Sequence, residues 1–152
     1  MSTRLIYVNM VDMEGFRDEP LGYLLHRVTA ALRAEVAAAV LEPSELAGPE
    51  YLCLRMLAQF PKSNAQLARE AQVSPQAMNK VVRGLQDRGL VTRPATVPSG
   101  RSLPATLTRE GVTMLARLDP EVAKAEDRVL AGLDQRDRRE LRRLLVAAIA
   151  DR

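Results

Sequence analysis

The stretch Ser63 to Val91, SNAQLAREAQVSPQAMNKVVRGLQDRGLV, constrains the fold more than any other part of the chain. Ser63 and Gln66 have the spacing of a capping box, in which each side chain satisfies a free backbone donor at a helix start. They open a helix over Asn64–Ala71, about two turns long. Gln72 and Val73 form a tight connection. Ser74 then caps a second helix, Pro75 takes its first position, and Gly89 ends it after Arg88. Two short helices so joined are a helix-turn-helix pattern. On the second helix Met78, Val81, Val82 and Leu85 fall on one stripe, as a core-facing helix requires. Gln76, Asn79, Lys80 and Arg83 repeat that spacing on nearly the opposite face, which is either merely solvated or reads a partner.

The residues that follow decide between these. Leu90–Arg93 and Ser102–Leu107 read as two short strands, and Pro94 to Arg101, with two prolines, a serine and a glycine, as the loop between them. A helix-turn-helix followed by a hairpin is a winged helix-turn-helix. Its second helix enters a DNA major groove roughly 12 Å wide with one face on the domain and the other on the bases. Gln76 suits adenine, Lys80 and Arg83 suit guanine, and Ala77 suits a thymine methyl, with Asn79 on the same face. Ser74 and the helix N-terminus suit a phosphate. Ser63 and Arg93 join the candidate contacts, as do Ser99, Gly100 and Arg101 at the hairpin tip, where Arg101 can reach a minor groove or the backbone. The alternative is a winged-helix module whose Gln76, Lys80 and Arg83 meet an acidic protein without specific DNA binding.

Charge distribution agrees with a DNA partner, although alone it does not separate one from a surface unevenly charged by chance. From Lys62 to Arg109 eight basic residues face two acids, a net +6, so the remainder of the chain carries −3. A basic middle set in an acidic scaffold is the footprint of a nucleic-acid-binding module. With two Phe, three Tyr and no Trp, a base-stacking surface for single strands is not expected. One histidine and one cysteine, His26 and Cys53, supply no nucleophile–base pair and no metal-ligand spacing, and no Gly-rich phosphate loop occurs. The chain is therefore not expected to be an enzyme or to hold a metal or cofactor. No apolar run reaches the roughly 18 residues of a membrane span, the N-terminus lacks a secretory pattern, and a lone cysteine suits the cytoplasm.

Around this module the chain is helical. Residues 1–20 read as an N-terminal arm closed by Pro20. Leu21, Leu24, Leu25, Val28, Leu32, Val36 and Val40 form one long seam ending near Leu41, and Pro43 breaks it. A mostly apolar helix follows over Glu50–Phe60, with Pro49 at its first position. Thr108 caps a helix running through Leu118, and Pro120 either kinks it or opens a continuation to Leu133. Asp134 caps the last helix, with its seam at Leu141, Leu144, Leu145, Ala148 and Ile149. The expected fold is mostly α with a small β-hairpin: a winged helix-turn-helix over 47–109, embedded in a helical dimerisation scaffold of 1–46 and 110–152. The last seam lies far from the helix-turn-helix and suits a second subunit better than its own chain.

LGYLLHRVTAALR, AQLAREAQVSPQAMNKVVRGLQDRGLVTRP and SGRSLPATLTREG resemble the MarR-type (multiple-antibiotic-resistance) regulators. The likeness covers about Leu21 to Arg152, and GLV-x-R, a short wing and LT-x-x-G recur in that family. One departure is Ser99, where the family's wing usually carries an Asp that steadies the wing arginine. The resemblance implies a homodimer with interleaved terminal helices, and hence a pseudo-palindromic operator on double-stranded DNA with half-sites about one helical turn (~10 bp) apart. It implies a repressor relieved by an aromatic carboxylate or phenolic effector bound where the dimer helices meet the DNA-binding lobe. Arg55, a cation within LCLRMLA, with Met56, Leu24, Tyr23 and His26, are the candidate ligand residues; for Arg55 an ion pair with Glu50 or a snorkelled surface position is the alternative. Family members that sense peroxide carry their cysteine near the start of the first long helix, so Cys53 is expected to be a buried structural residue.

Overall fold

A computed structural model of the protein describes residues 15–94 and 103–150. The first described helix, α1 (Leu21–Val36), loosens into a π-helical turn, Ala37–Leu41, and then a 3₁₀ turn, Glu42–Ser44. Pro43 cannot continue a helix, and Glu45 reverses the chain in the left-handed region at φ 52°. Helix α2 (Gly48–Leu57) begins two residues before the expected Glu50 and ends three before Phe60. Pro49 is its second residue, and the Glu50 carboxylate accepts from the Ala47 N–H at 2.9 Å, so the helix starts where that donor can be capped.

Helices α3 (Asn64–Ala71) and α4 (Pro75–Asp87) fall where the caps place them. Strands β1 (Val91–Thr92) and β2 (Thr106–Leu107) pair antiparallel, Val91 with Leu107 and Thr92 with Thr106. Both are shorter than expected. Leu90 is already committed to the helix end: its N–H reaches the Leu85 carbonyl at 2.9 Å while Gly89, at φ 70°, donates to Gln86. A bridge between Lys62 and Ala105, bonded in both directions at 3.2 and 2.8 Å, adds a third short rung that sequence reading missed.

Helix α5 (Arg109–Val129) runs unbroken through Pro120, neither ending there nor restarting. Leu118, Val122 and Ala125 on its buried face hold it on the core across the missing N–H. Asp134 caps α6 (Gln135–Ala150) through the Asp137 N–H at 2.8 Å. The winged helix-turn-helix closes over Cys53, Leu54, Leu67, Met78, Val82 and Leu85, none more than 1% exposed. Full burial of side chains such as the four aliphatic ones here contributes about 1.5–3 kcal/mol each. Helix α6 is the opposite case: it buries none of its residues among the described ones. Leu144, Leu145, Val146 and Ile149 are exposed along it, as are Leu21, Leu25 and Val28 along α1. Among the described residues no helix is long and apolar enough to cross a membrane.

Candidate nucleic-acid interface

The two helices of the helix-turn-helix are set by local bonds. The Ser63 hydroxyl accepts from Gln66 N–H at 3.3 Å, and the Gln66 side-chain Oε1 accepts from Ser63 N–H at 2.8 Å, completing the capping box. Gln72 turns the chain at φ 56°. The Ser74 hydroxyl then accepts from Ala77 N–H at 3.1 Å and starts α4. The sequence placed Met78, Val82 and Leu85 inward, and all three are buried; Val81 is half-buried against them. Gln76, Ala77, Lys80 and Arg83 are exposed and Asn79 is half-buried beside them. Among the described residues Lys80 and Arg83 form no ion pair within the chain, so both cations are free for a partner. An open groove of about 720 Å³ flanks this helix, between Lys80, Arg83 and Asp87 on one side and Pro49 and Glu50 on the other.

Not every cation counted in the basic span faces outward. Lys62 is buried, its ammonium 2.5 Å from Glu70 and 4.4 Å from the centre of the Phe60 ring. Arg88 donates to the Glu45 carbonyl at 2.7 Å and lies 3.5 Å from Glu50. Arg93 is half-buried at the base of the wing, and its Nε and Nη2 are buried with no partner among the described residues. Its charge is felt at Cys53, whose thiol burial pushes up to about 11 while Arg93 opposes the rise and Glu50 adds to it. A fully buried thiol so protonated is the structural cysteine expected of this position. Ser99, Gly100 and Arg101 lie outside the described residues.

The candidate ligand residues are not gathered around one cavity. Arg55 makes no pair with Glu50, whose carboxylate is engaged at Ala47 and Arg88. It instead donates through Nε to the Tyr51 hydroxyl at 2.9 Å, stacks over that ring, and pairs through Nη2 with Asp119 of α5. Burial works against its charge, but Tyr51 and Asp119 outweigh it and raise the guanidinium above its ordinary value. Met56 is in the core. Tyr23 accepts from Arg27 at 3.2 Å, Leu24 is half-buried and His26 exposed, all on α1, which packs chiefly against α5 and the π-helical turn. Neither the groove along α4 nor a second of about 410 Å³ at Leu90, Arg109 and Arg117 includes any of the five. Asp119, an exposed acid before a proline, offered no sequence signal of this pairing. Among the described residues no group of acids, histidines and cysteines is placed to hold a metal.

Residues 44–102 match the MarR family model. The chain is 57% identical over 129 residues to the HTH-type transcriptional repressor Rv2887 of Mycobacterium tuberculosis (strain H37Rv), covering 84% of this chain and 92% of that protein. The HTH-type transcriptional repressor Mb2911 of Mycobacterium bovis matches over the same shares. Among solved structures, the Mycobacterium tuberculosis MarR family protein Rv2887 in complex with salicylic acid superposes with a TM-score of 0.73 at 55% identity, over 87% of this chain and 98% of that one. The same protein in complex with DNA gives 0.72 at 50% identity, over 87% and 99%.

Proposed function

Because the chain belongs to the MarR family, we propose that it is a transcriptional repressor that binds a specific double-stranded DNA operator and is released from it by a small aromatic or phenolic acid. The observation that carries this reading is the exposed face of α4, where Gln76, Lys80 and Arg83 stand free of partners among the described residues, directly opposite a buried seam. Base edges in a major groove offer the acceptors and donors these side chains require. Ser63, Ser74 and the N-termini of α3 and α4 then meet backbone phosphates, with Arg93, Ser99, Gly100 and Arg101 serving the wing. The complexes of Rv2887 with DNA, salicylic acid and p-aminosalicylic acid support both halves of the reading.

The active unit is a homodimer. Helices α1 and α6 carry exposed apolar side chains that the described residues leave uncovered, so 1–46 and 110–152 form the dimerisation region around a DNA-binding region of 47–109. Twofold symmetry makes the operator pseudo-palindromic. The protein works in the cytoplasm, and its lone cysteine is buried and protonated.

Arg55 supplies the charge-assisted partner for the effector's carboxylate, with Met56, Leu24, Tyr23 and His26 completing the pocket in the dimer. In the free protein Asp119 occupies that guanidinium. An incoming carboxylate exchanges with Asp119, unties α2 from α5, and shifts the spacing of the two recognition helices. The effector must then prefer the released arrangement, and DNA must weaken the effector by the same factor.

Sequencing the DNA fragments retained by the purified protein tests the reading. A twofold-symmetric motif, bound with an affinity that falls steeply with salt, is the expected result. Retention of DNA without sequence preference, or of none, would leave α4 as a protein-contact surface.

A further inference from the structure

The side chain of Asn64 joins the first turns of the two helices in the helix-turn-helix: its Nδ2 donates to the Pro75 carbonyl at 2.9 Å. A carbonyl only accepts, and proline has no N–H, so the amide nitrogen must face Pro75 and the oxygen must point away. In that orientation Oδ1 is buried, and no donor among the described residues reaches it. A buried acceptor without a partner works against folding. The Pro75 carbonyl, for its part, lies in the first turn of α4, just after the Ser74 carbonyl that accepts from Met78 N–H, and with the helix ladder supplying a donor it does not need a second. Nor does α3 need Asn64, because Ser63 and Gln66 already cap it. A stability-driven choice at this position would be apolar.

What the contact does is hold one end of a helix. Gln72 to Ala77 are all exposed, and the first buried residue of α4 is Met78. Farther along, Val82 and Leu85 fix the helix on the core. Among the described residues outside α4, Asn64 is the one whose side chain hydrogen-bonds its first residue, directly beside Gln76 and Ala77. Reading a base by hydrogen bonds demands that donor and acceptor meet within a few tenths of an ångström and near-linear angles.

We propose that Asn64 is a positioning residue for operator recognition: its amide clamps the N-terminus of α4 at the pitch at which Gln76 meets its base, and the chain retains the orphaned Oδ1 at a cost in folding stability. The inference rests on the DNA-reading function above. A residue of this kind separates two quantities that a merely structural residue moves together.

The test uses the full-length protein with Asn64→Ala and Asn64→Leu, the second nearly isosteric so that a cavity left by alanine does not confuse the result. Unfolding temperature is measured alongside affinity for a selected operator and for a scrambled duplex of equal length at one salt concentration. Asn64→Leu is expected to unfold at or above the wild-type temperature. Both variants are expected to bind the scrambled duplex like wild type and the operator about tenfold more weakly, the loss of one well-placed base contact. An unchanged operator preference in either variant overturns the proposal, as does equal loss on both duplexes. So does a lowered unfolding temperature in Asn64→Leu. If wild type itself shows no operator preference, the DNA-reading function fails first and the inference falls with it.

Discussion

Gly111 lies against the carbonyl of Leu90, so closely that a Cβ built on it would stand 2.2 Å from that oxygen. The same oxygen accepts from Thr108 N–H at 3.1 Å, and the Thr108 hydroxyl donates to the Gly89 carbonyl at 2.6 Å. The start of α5 is thus stitched to the turn that ends α4, which sets the base of the wing. By helix propensity alone, Gly111→Ala would stabilise by up to about 1 kcal/mol. Here the obstacle is backbone, which cannot move aside cheaply. The variant is expected to lose about 1–3 kcal/mol in urea unfolding, as overpacked sites do. A neutral or stabilised variant would show that α5 and the Leu90 turn can separate without penalty.

The pair between Arg55 and Asp119 spans 64 residues of chain and ties the DNA-binding lobe to α5 just before Pro120. Its side chains are 36% and 51% exposed, so its loss should cost at most about 1 kcal/mol of stability. Its effect on the effector should be larger. Asp119→Asn removes the resident carboxylate and is expected to tighten salicylate binding several-fold in calorimetry, while Arg55→Ala abolishes it. Salicylate affinity unchanged by Asp119→Asn would mean that the effector does not compete for this guanidinium.

Cys53 gives the protein a signature at high pH. Its thiol is raised to about 11 from an ordinary value of 9.0, chiefly by burial. Below the lower value folded and unfolded chains both hold the proton. Between the two, the unfolded chain releases it first, so stability declines as pH rises through that window. Wild type is expected to lose stability more steeply than Cys53→Ala across roughly pH 9 to 11. At neutral pH the folded thiol should resist thiol reagents and peroxide. Parallel pH profiles for the two proteins would contradict a buried, protonated thiol.

Sequence reading reached the helix-turn-helix because its signals are local. The Ser63–Gln66 box, Ser74 with Pro75, and Gly89 each act on neighbouring backbone, and the Met78-Val82-Leu85 seam is a period within one helix. What it missed is carried across the chain. The Lys62–Ala105 rung has no period to announce it, and a buried lysine beside Glu70 and Phe60 looks in sequence like another surface cation. Pro120 left two readings open because the side chains that hold α5 straight come from packing, not from the helix itself. Arg55 stands out in the sequence as a cation in an apolar run, but its partner lies on another helix. Asn64 reads as an unremarkable second residue of a capping box until its amide is seen against Pro75.

The claim that the exposed face of α4 reads bases is tested most directly by binding Gln76→Ala and Arg83→Ala to operator and scrambled duplexes at one salt concentration. Neither side chain is in the core, so folding should be unaffected. Each variant is expected to lose about 1–3 kcal/mol on the operator at one base position, and to bind the scrambled duplex nearly as wild type does. Equal losses on both duplexes would contradict the account, leaving these residues as backbone contacts and placing sequence recognition elsewhere in the molecule.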